Sequence, residues 1–166
     1  MTTVVATLEV MVADHRLTSE GAPCSVKKIH RIGDALYGIA GGIFPAMAFI
    51  HWMRTGGGNL TTLYAVFGES VEARSSFTVL ELSHAGLALI DGWGMRVPLY
   101  DKRYGIGTGA QAPLALMDKG LPPQEAIHAS PTLDECSGIN AGEPEVEWLL
   151  PPELTFPEIK QPKRRK

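Results

Sequence analysis

Residues 2–14 read TTVVATLEVMVAD, and the way they fold decides the rest of the chain. Thr2 to Leu8 is short and β-branched, with Thr3, Val5 and Thr7 on one side and Val4 and Ala6 on the other. Val10 to Ala13 follows at once. Side chains in a strand point alternately to opposite faces, so the two runs predict a tight hairpin turning near Leu8–Glu9. Such a start is open to three readings: a leader, a plain strand, or a reactive terminus.

Composition narrows the choice. The 166 residues are 45% apolar and 20% charged, as in an ordinary globular chain of one domain. A net charge of −3 gives no global field for nucleic acid or an anionic membrane. The basic run Lys163, Arg164, Arg165 and Lys166 reads as a solvated tail. Cys24 and Cys136 are too few for a disulfide framework and read as reduced thiols in a cytoplasmic protein. The five histidines are scattered, with no metal-ligand spacing. The N-terminus has no basic n-region, and Glu9 and Asp14 interrupt its apolar stretch, so no signal peptide is expected. Leu36 to Met53, LYGIAGGIFPAMAFIHWM, approaches the length of a membrane span. Gly38, Gly41, Gly42 and Pro45 break it into a buried strand, a turn and a helix starting near Pro45.

The remaining pattern is strands, helices, strands, helices, strand. HRLTSEGAPC is polar and reads as a loop, and Val26 to Ile32 and Ala35 to Gly41 read as strands. Helices are expected over Phe44 to Arg54, Leu60 to Phe67, Ala110 to Lys119 and from Pro122 or Pro123 to about Cys136. Strands are expected over Phe77 to Leu82, Tyr104 to Gly109 and Val146 to Leu149, with a hairpin about the Asp91–Gly92 turn. Segregated runs of this kind predict an α+β fold in which two sheets lie between helical layers. Residues 1–150 form the expected domain, and the proline-rich, basic 151–166 an extension.

The familiar local motifs are absent. GIGTGA at Gly105 to Ala110 has its third glycine misplaced for a dinucleotide site, GGGNLTT at Gly56 to Thr62 lacks the lysine of a P-loop, and no GxSxG occurs. Attention returns to Thr2. With Met1 removed, Thr2 carries a hydroxyl and a free α-amine on one residue. A hydroxyl needs a base to attack a carbonyl, and an α-amine titrates at about 7.7–8.0, so part of it is neutral near pH 7. With Met1 attached the amine is an amide and the base is lost.

Four segments resemble the proteasome β-subunit and HslV peptidases, a branch of the N-terminal nucleophile (Ntn) hydrolases. They are TTVVAT with VADHRLTSEG, SVKKIHRIGDALYGIAGG, YGIGTGAQAPLAL and DECSGINAGEPEV, in the family's order between Thr2 and Trp148. The resemblance implies a four-layer αββα sandwich and a threonine peptidase in which Thr2 is nucleophile and base. It implies that Asp14 is the acid near the terminus, Lys28 the lysine beneath the nucleophile, and Gly38 the oxyanion glycine. Thr108, Asp134 and Ser137 then orient the amine, and Leu17, Ser25, Tyr37 and Ala40 line a mainly apolar specificity pocket. It implies no metal or organic cofactor, a peptide or unfolded-protein substrate, and a homo-oligomeric double ring of twelve or fourteen subunits, with room for an ATP-dependent unfoldase. Nucleic-acid and membrane partners are not expected. Two alternatives share the fold: an inactive proteasome-like shell subunit, and an Ntn amidohydrolase acting on a small amide. The chain departs from the family in a shortened stretch between the first long helix and Phe77, and in its extension from Pro151.

Overall fold

The opening hairpin forms as its two short, β-branched runs predict. In the computed structural model, which describes residues 2–19, 22–56, 62–63, 67, 70–130 and 143–151, β1 (Val4–Thr7) bends at Leu8–Glu9 into β2 (Val10–Ala13). Val4 lies opposite Ala13, and Val5 opposite Val12. Thr7 Oγ1 accepts the amides of Glu9 and Val10 and closes the bend. β10 (Arg103–Ile106) flanks β1 and β11 (Glu145–Trp148) flanks β2, giving an antiparallel sheet of order β10-β1-β2-β11.

A second antiparallel sheet runs in chain order through β5 (Ile29–Ile32), β6 (Ala35–Gly41), β7 (Phe77–Ser83), β8 (Gly86–Asp91) and β9 (Arg96–Pro98). The Asp91 carboxylate accepts the amides of Trp93 and Met95 and so makes the turn that the Asp-Gly pair predicts. The strand expected from Val26 starts only at Ile29, because the Val26 amide donates to His15 O, in register with the pairing of Arg16 and Ser25, rather than to β6. HRLTSEGAPC, read as a loop, contains most of a separate two-stranded hairpin, β3 (Arg16–Ser19) with β4 (Ala22–Ser25). Its polar, proline-bearing sequence lacks the apolar alternation by which strands are recognised.

The helices with described bounds are α1 (Ile43–Arg54), α2 (Val71–Ser75), α3 (Gln111–Asp118) and α4 (Pro123–Ala129). Pro45 stands in the first turn of α1, where its missing N–H has no intrahelical acceptor to lose. The helix expected to reach about Cys136 ends earlier, at Ala129, where Ser130 turns to an extended conformation. Of the helix expected over 60–67 only residues 62, 63 and 67 are described, all helical, and the extension 152–166 lies outside the described residues. Among the described residues no helix is long and apolar enough to cross a membrane.

Three apolar clusters show how the elements pack. Val4, Ala6, Met11 and Ala13 of the first sheet meet Ile29, Leu36, Leu80 and Leu82 of the second. Val5, Val10 and Val12 point the other way, onto Met117, Ala126 and Ile127 of α3 and α4. Ile39, Phe77 and Val79 leave the second sheet on its far side and pack on Ala46, Phe49 and Ile50 of α1. Both faces of β1 and β2 are therefore buried, which is why VVA and VMVA show no polar alternation.

The sheets come close at Gly38, in the middle of β6. A Cβ there would stand 2.6 Å from Val4 Cγ1 and 2.8 Å from Met11 Sδ. Gly38→Ala is expected to lower unfolding stability by about 1–3 kcal/mol through overpacking, as read from denaturant titration. A second test concerns His30 on β5, which is buried beside Arg54. Burial first, then the charges of Arg54 and Lys27, push its pKa down to about 4. The unfolded chain therefore binds more protons than the folded one between pH 6.5 and 4, and stability falls as pH falls through that window. The expected loss is about 3 kcal/mol, and the slope flattens in His30→Gln.

Candidate active site

The start of β1 is locked to the end of β2 by side chain and backbone together. Thr3 N–H donates to Asp14 Oδ1 at 2.7 Å, and Asp14 N–H donates back to Thr3 O at 3.1 Å. Thr2 and Thr3 are both buried, and Asp14 is 1% exposed. Lys28, just before β5, is equally buried. Its Nζ donates to Asp14 Oδ1 at 2.8 Å and to Arg16 O at 2.5 Å. The alternating basic sequence of this stretch fits a solvent-facing lysine, but here the ammonium is driven inward and paired. Burial lowers the Lys28 pKa, while the charge and hydrogen bond of Asp14, and more weakly the charge of Glu145, act to raise it. Through Asp14 the ammonium is linked to the Thr3 amide, one residue along the chain from Thr2.

The turn after β10 closes over the same end of β1. Gly107 has φ +88, and a Cβ on it would stand 1.7 Å from Thr2 O, so no side chain fits between that turn and the Thr2 carbonyl. Thr108 follows directly and is exposed. Beside this contact opens a cavity of about 420 Å³, lined by Ala40, Gly41, Ser76, Gly105 and Gly107 among others.

The structure thus brings Thr2, Asp14, Lys28 and the Gly107–Thr108 turn to one place, with Ala40 nearby. It separates others from them. Gly38 is flanked by Ile29 on β5 and Leu80 on β7, so its amide lies within the sheet. Tyr37 stands on the opposite face of β6 from Ala40 and packs with the cluster against α1, where burial and the Glu81 charge raise its pKa. Ser25 is exposed at the end of β4 opposite Arg16, and Leu17 takes the next place on β3, opposite Cys24. Asp134 and Ser137 lie outside the described residues.

One residue that sequence reasoning passed over is Gly41. Ile39 N–H donates to Lys28 O on the β5 side. Amides two residues apart on a strand face the same neighbour, so the Gly41 N–H also faces that side, beyond the paired length of β5. Gly41 is exposed, has φ +99, and lines the cavity. The Gly41–Gly42 pair was the available signal. Glu145 is a second such residue, accepting the amides of Lys28 and Ile29, and nothing local in the sequence marks it.

Against known proteins, no protein-family model and no curated protein matches the chain. Solved structures do. HslV from Trypanosoma brucei is 22% identical with a TM-score of 0.62, over 88% of this chain and 98% of that one. BPH from Thiobacillus denitrificans is 19% identical with a TM-score of 0.64, over 91% and 99%, and its structure in complex with epoxomicin also matches. A Gly-1 mutant of Anbu from Hyphomicrobium sp. strain MC1 is 12% identical with a TM-score of 0.61, over 90% and 87%. The chain therefore has the fold of the proteasome β-type Ntn hydrolases.

The buried pair carries a direct test. Removing one partner leaves the other charge desolvated, so Asp14→Ala is expected to cost about 3–5 kcal/mol of unfolding stability, measured by denaturant titration at pH 7.

Proposed function

We propose that this chain is a peptidase that uses Thr2, freed by removal of Met1, as its N-terminal nucleophile. The observation that carries the reading is the buried Lys28 ammonium, paired with Asp14, which is itself bonded to the Thr3 amide. On this reading the Thr2 amine takes the hydroxyl proton as Oγ1 attacks the carbonyl of the scissile peptide. The Lys28 charge keeps that amine from holding a proton too tightly and stabilises the forming alkoxide. The Gly41 amide, rather than that of Gly38, then donates to the oxyanion, because it faces the β5 side beyond the paired length of β5 and stands beside the cavity. The protonated amine passes its proton to the leaving nitrogen, leaving an ester on Thr2. Water, deprotonated by the same amine, hydrolyses the ester and restores the hydroxyl. Thr108, Asp134 and Ser137 keep their assignment as groups that orient the amine.

The same reading takes the layers as αββα, with 1–150 as the catalytic domain. It takes the protein as a cytoplasmic double ring of identical subunits that shelters the site. Phe44, 84% exposed on α1, with the partly exposed Met47 one turn on, offers apolar surface for neighbouring copies. An ATP-dependent unfoldase that feeds unfolded chains to the ring belongs to the same proposal.

Purified protein tests the chemistry. N-terminal sequencing is expected to read Thr-Thr-Val-Val. Epoxomicin, which a structural neighbour binds, is expected to block turnover of fluorogenic peptides. Thr2→Ala is expected to lose on the order of a thousandfold or more in kcat. Full activity in Thr2→Ala, or retention of Met1 on active enzyme, removes Thr2 from the mechanism. Turnover of small amides alone would point to an amidohydrolase, and silence toward both substrates and inhibitor to a shell subunit.

A further inference from the structure

Lys28 is gripped at both ends. Asp14 takes its ammonium, and the backbone is taken by a residue from the far end of the chain. Glu145 opens β11 opposite Ala13, the residue before Asp14. Its Oε2 accepts the N–H of Lys28 at 2.8 Å and of Ile29 at 3.2 Å. The Glu145 side chain is only 10% exposed. The Lys28 carbonyl is already engaged by the Ile39 amide, while its N–H, ahead of the first residue of β5, goes to the carboxylate. Two consecutive amides on one carboxylate oxygen fix the peptide plane from which the Lys28 side chain departs, and charge-assisted bonds of this kind are the strong ones.

Other contacts join the same elements without touching the Lys28 peptide. Lys27 Nζ lies 3.8 Å from Glu145 Oε1 and 3.6 Å from Glu147 Oε1, on a side chain that is 60% exposed. Arg31 donates to Glu147 Oε2 at 3.2 Å and to Trp148 O at 2.7 Å. These more solvated bridges tie β11 to the edge of the second sheet. Glu145 does something they do not, since it holds the backbone of Lys28, the one buried lysine among the described residues, which Asp14 links to Thr3.

We propose that Glu145 is a positioning residue for the active site, holding the Lys28 peptide so that the ammonium meets Asp14 at the head of β1. The catalytic part of the inference rests on the Thr2 peptidase reading above. The charged and polar groups facing Lys28 are Asp14 at the end of β2, the Arg16 carbonyl on β3 and Glu145 on β11, with Lys27 adjacent in the chain.

The test uses the full chain with Glu145→Ala, Glu145→Gln, and Lys27→Ala and Arg31→Ala as controls. Glu145→Ala is expected to lower kcat on the order of tenfold or more, as small misplacements of a catalytic group do, with KM within about twofold. The alkaline limb of kcat/KM moves to lower pH, since a charge favouring the ammonium is gone. Glu145→Gln recovers most of kcat, because its amide oxygen still accepts the N–H groups, but keeps the shifted limb. The two controls leave kcat and the limb unchanged. Wild-type kcat and limb in folded Glu145→Ala overturn the proposal, as do equal losses in the controls, which would make Glu145 one more cross-link. If Glu145→Ala does not fold, Glu145→Gln decides, and an unshifted limb refutes it. Lysine-labelled NMR of Glu145→Gln in a Thr2→Ala background follows the Lys28 ammonium without turnover. There an unmoved titration sinks the Glu145 role even if peptides are cleaved. A moved one sustains it even if the peptidase reading fails.

Discussion

A single buried ion pair organises this end of the molecule. Asp14 and Lys28 meet at 2.8 Å, both almost wholly removed from solvent. An ammonium in such a place is tolerable only with a close anion and further acceptors, and here Asp14 and the Arg16 carbonyl supply them. Because Asp14 is also bonded to Thr3, the pair fixes the entry of β1 against the exit of β2 and the approach to β5. The placement of Thr2, next in the chain to Thr3, follows from that arrangement.

The framework was readable because it rests on local periodicity. The hairpin about Leu8–Glu9, the buried run of β6 and the turn at Asp91–Gly92 each announce themselves within a few residues. The β3–β4 hairpin did not, since its polar, proline-bearing sequence lacks apolar alternation. α1 begins at Ile43, one residue ahead of the expected Phe44, which is within the tolerance with which any helix end is read.

The site was only half legible, for a physical reason. Lys27 and Lys28 are adjacent and chemically alike, yet one is solvated and the other enclosed. That difference is set by Asp14 and Glu145, 14 and 117 residues away, and no window of sequence contains it. The same holds for β6. Alternation places Gly38 and Ala40 toward the first sheet and Tyr37 toward α1, so a pocket that takes both Tyr37 and Ala40 asks one strand to show two faces. Gly38 and Gly41 are both glycines of a buried strand. One serves packing and the other ends the ladder, and only the strand neighbours tell them apart.

The contact between Gly107 and the Thr2 carbonyl has a consequence for how such a chain can vary. The gap at that point is set by main chain against main chain, with not even a methyl group interposed. Position 107 itself therefore tolerates almost nothing beyond glycine. Drift can be extensive in composition and still leave the architecture intact, which suits a fold whose structural kin share as few as 12% of their residues with this chain.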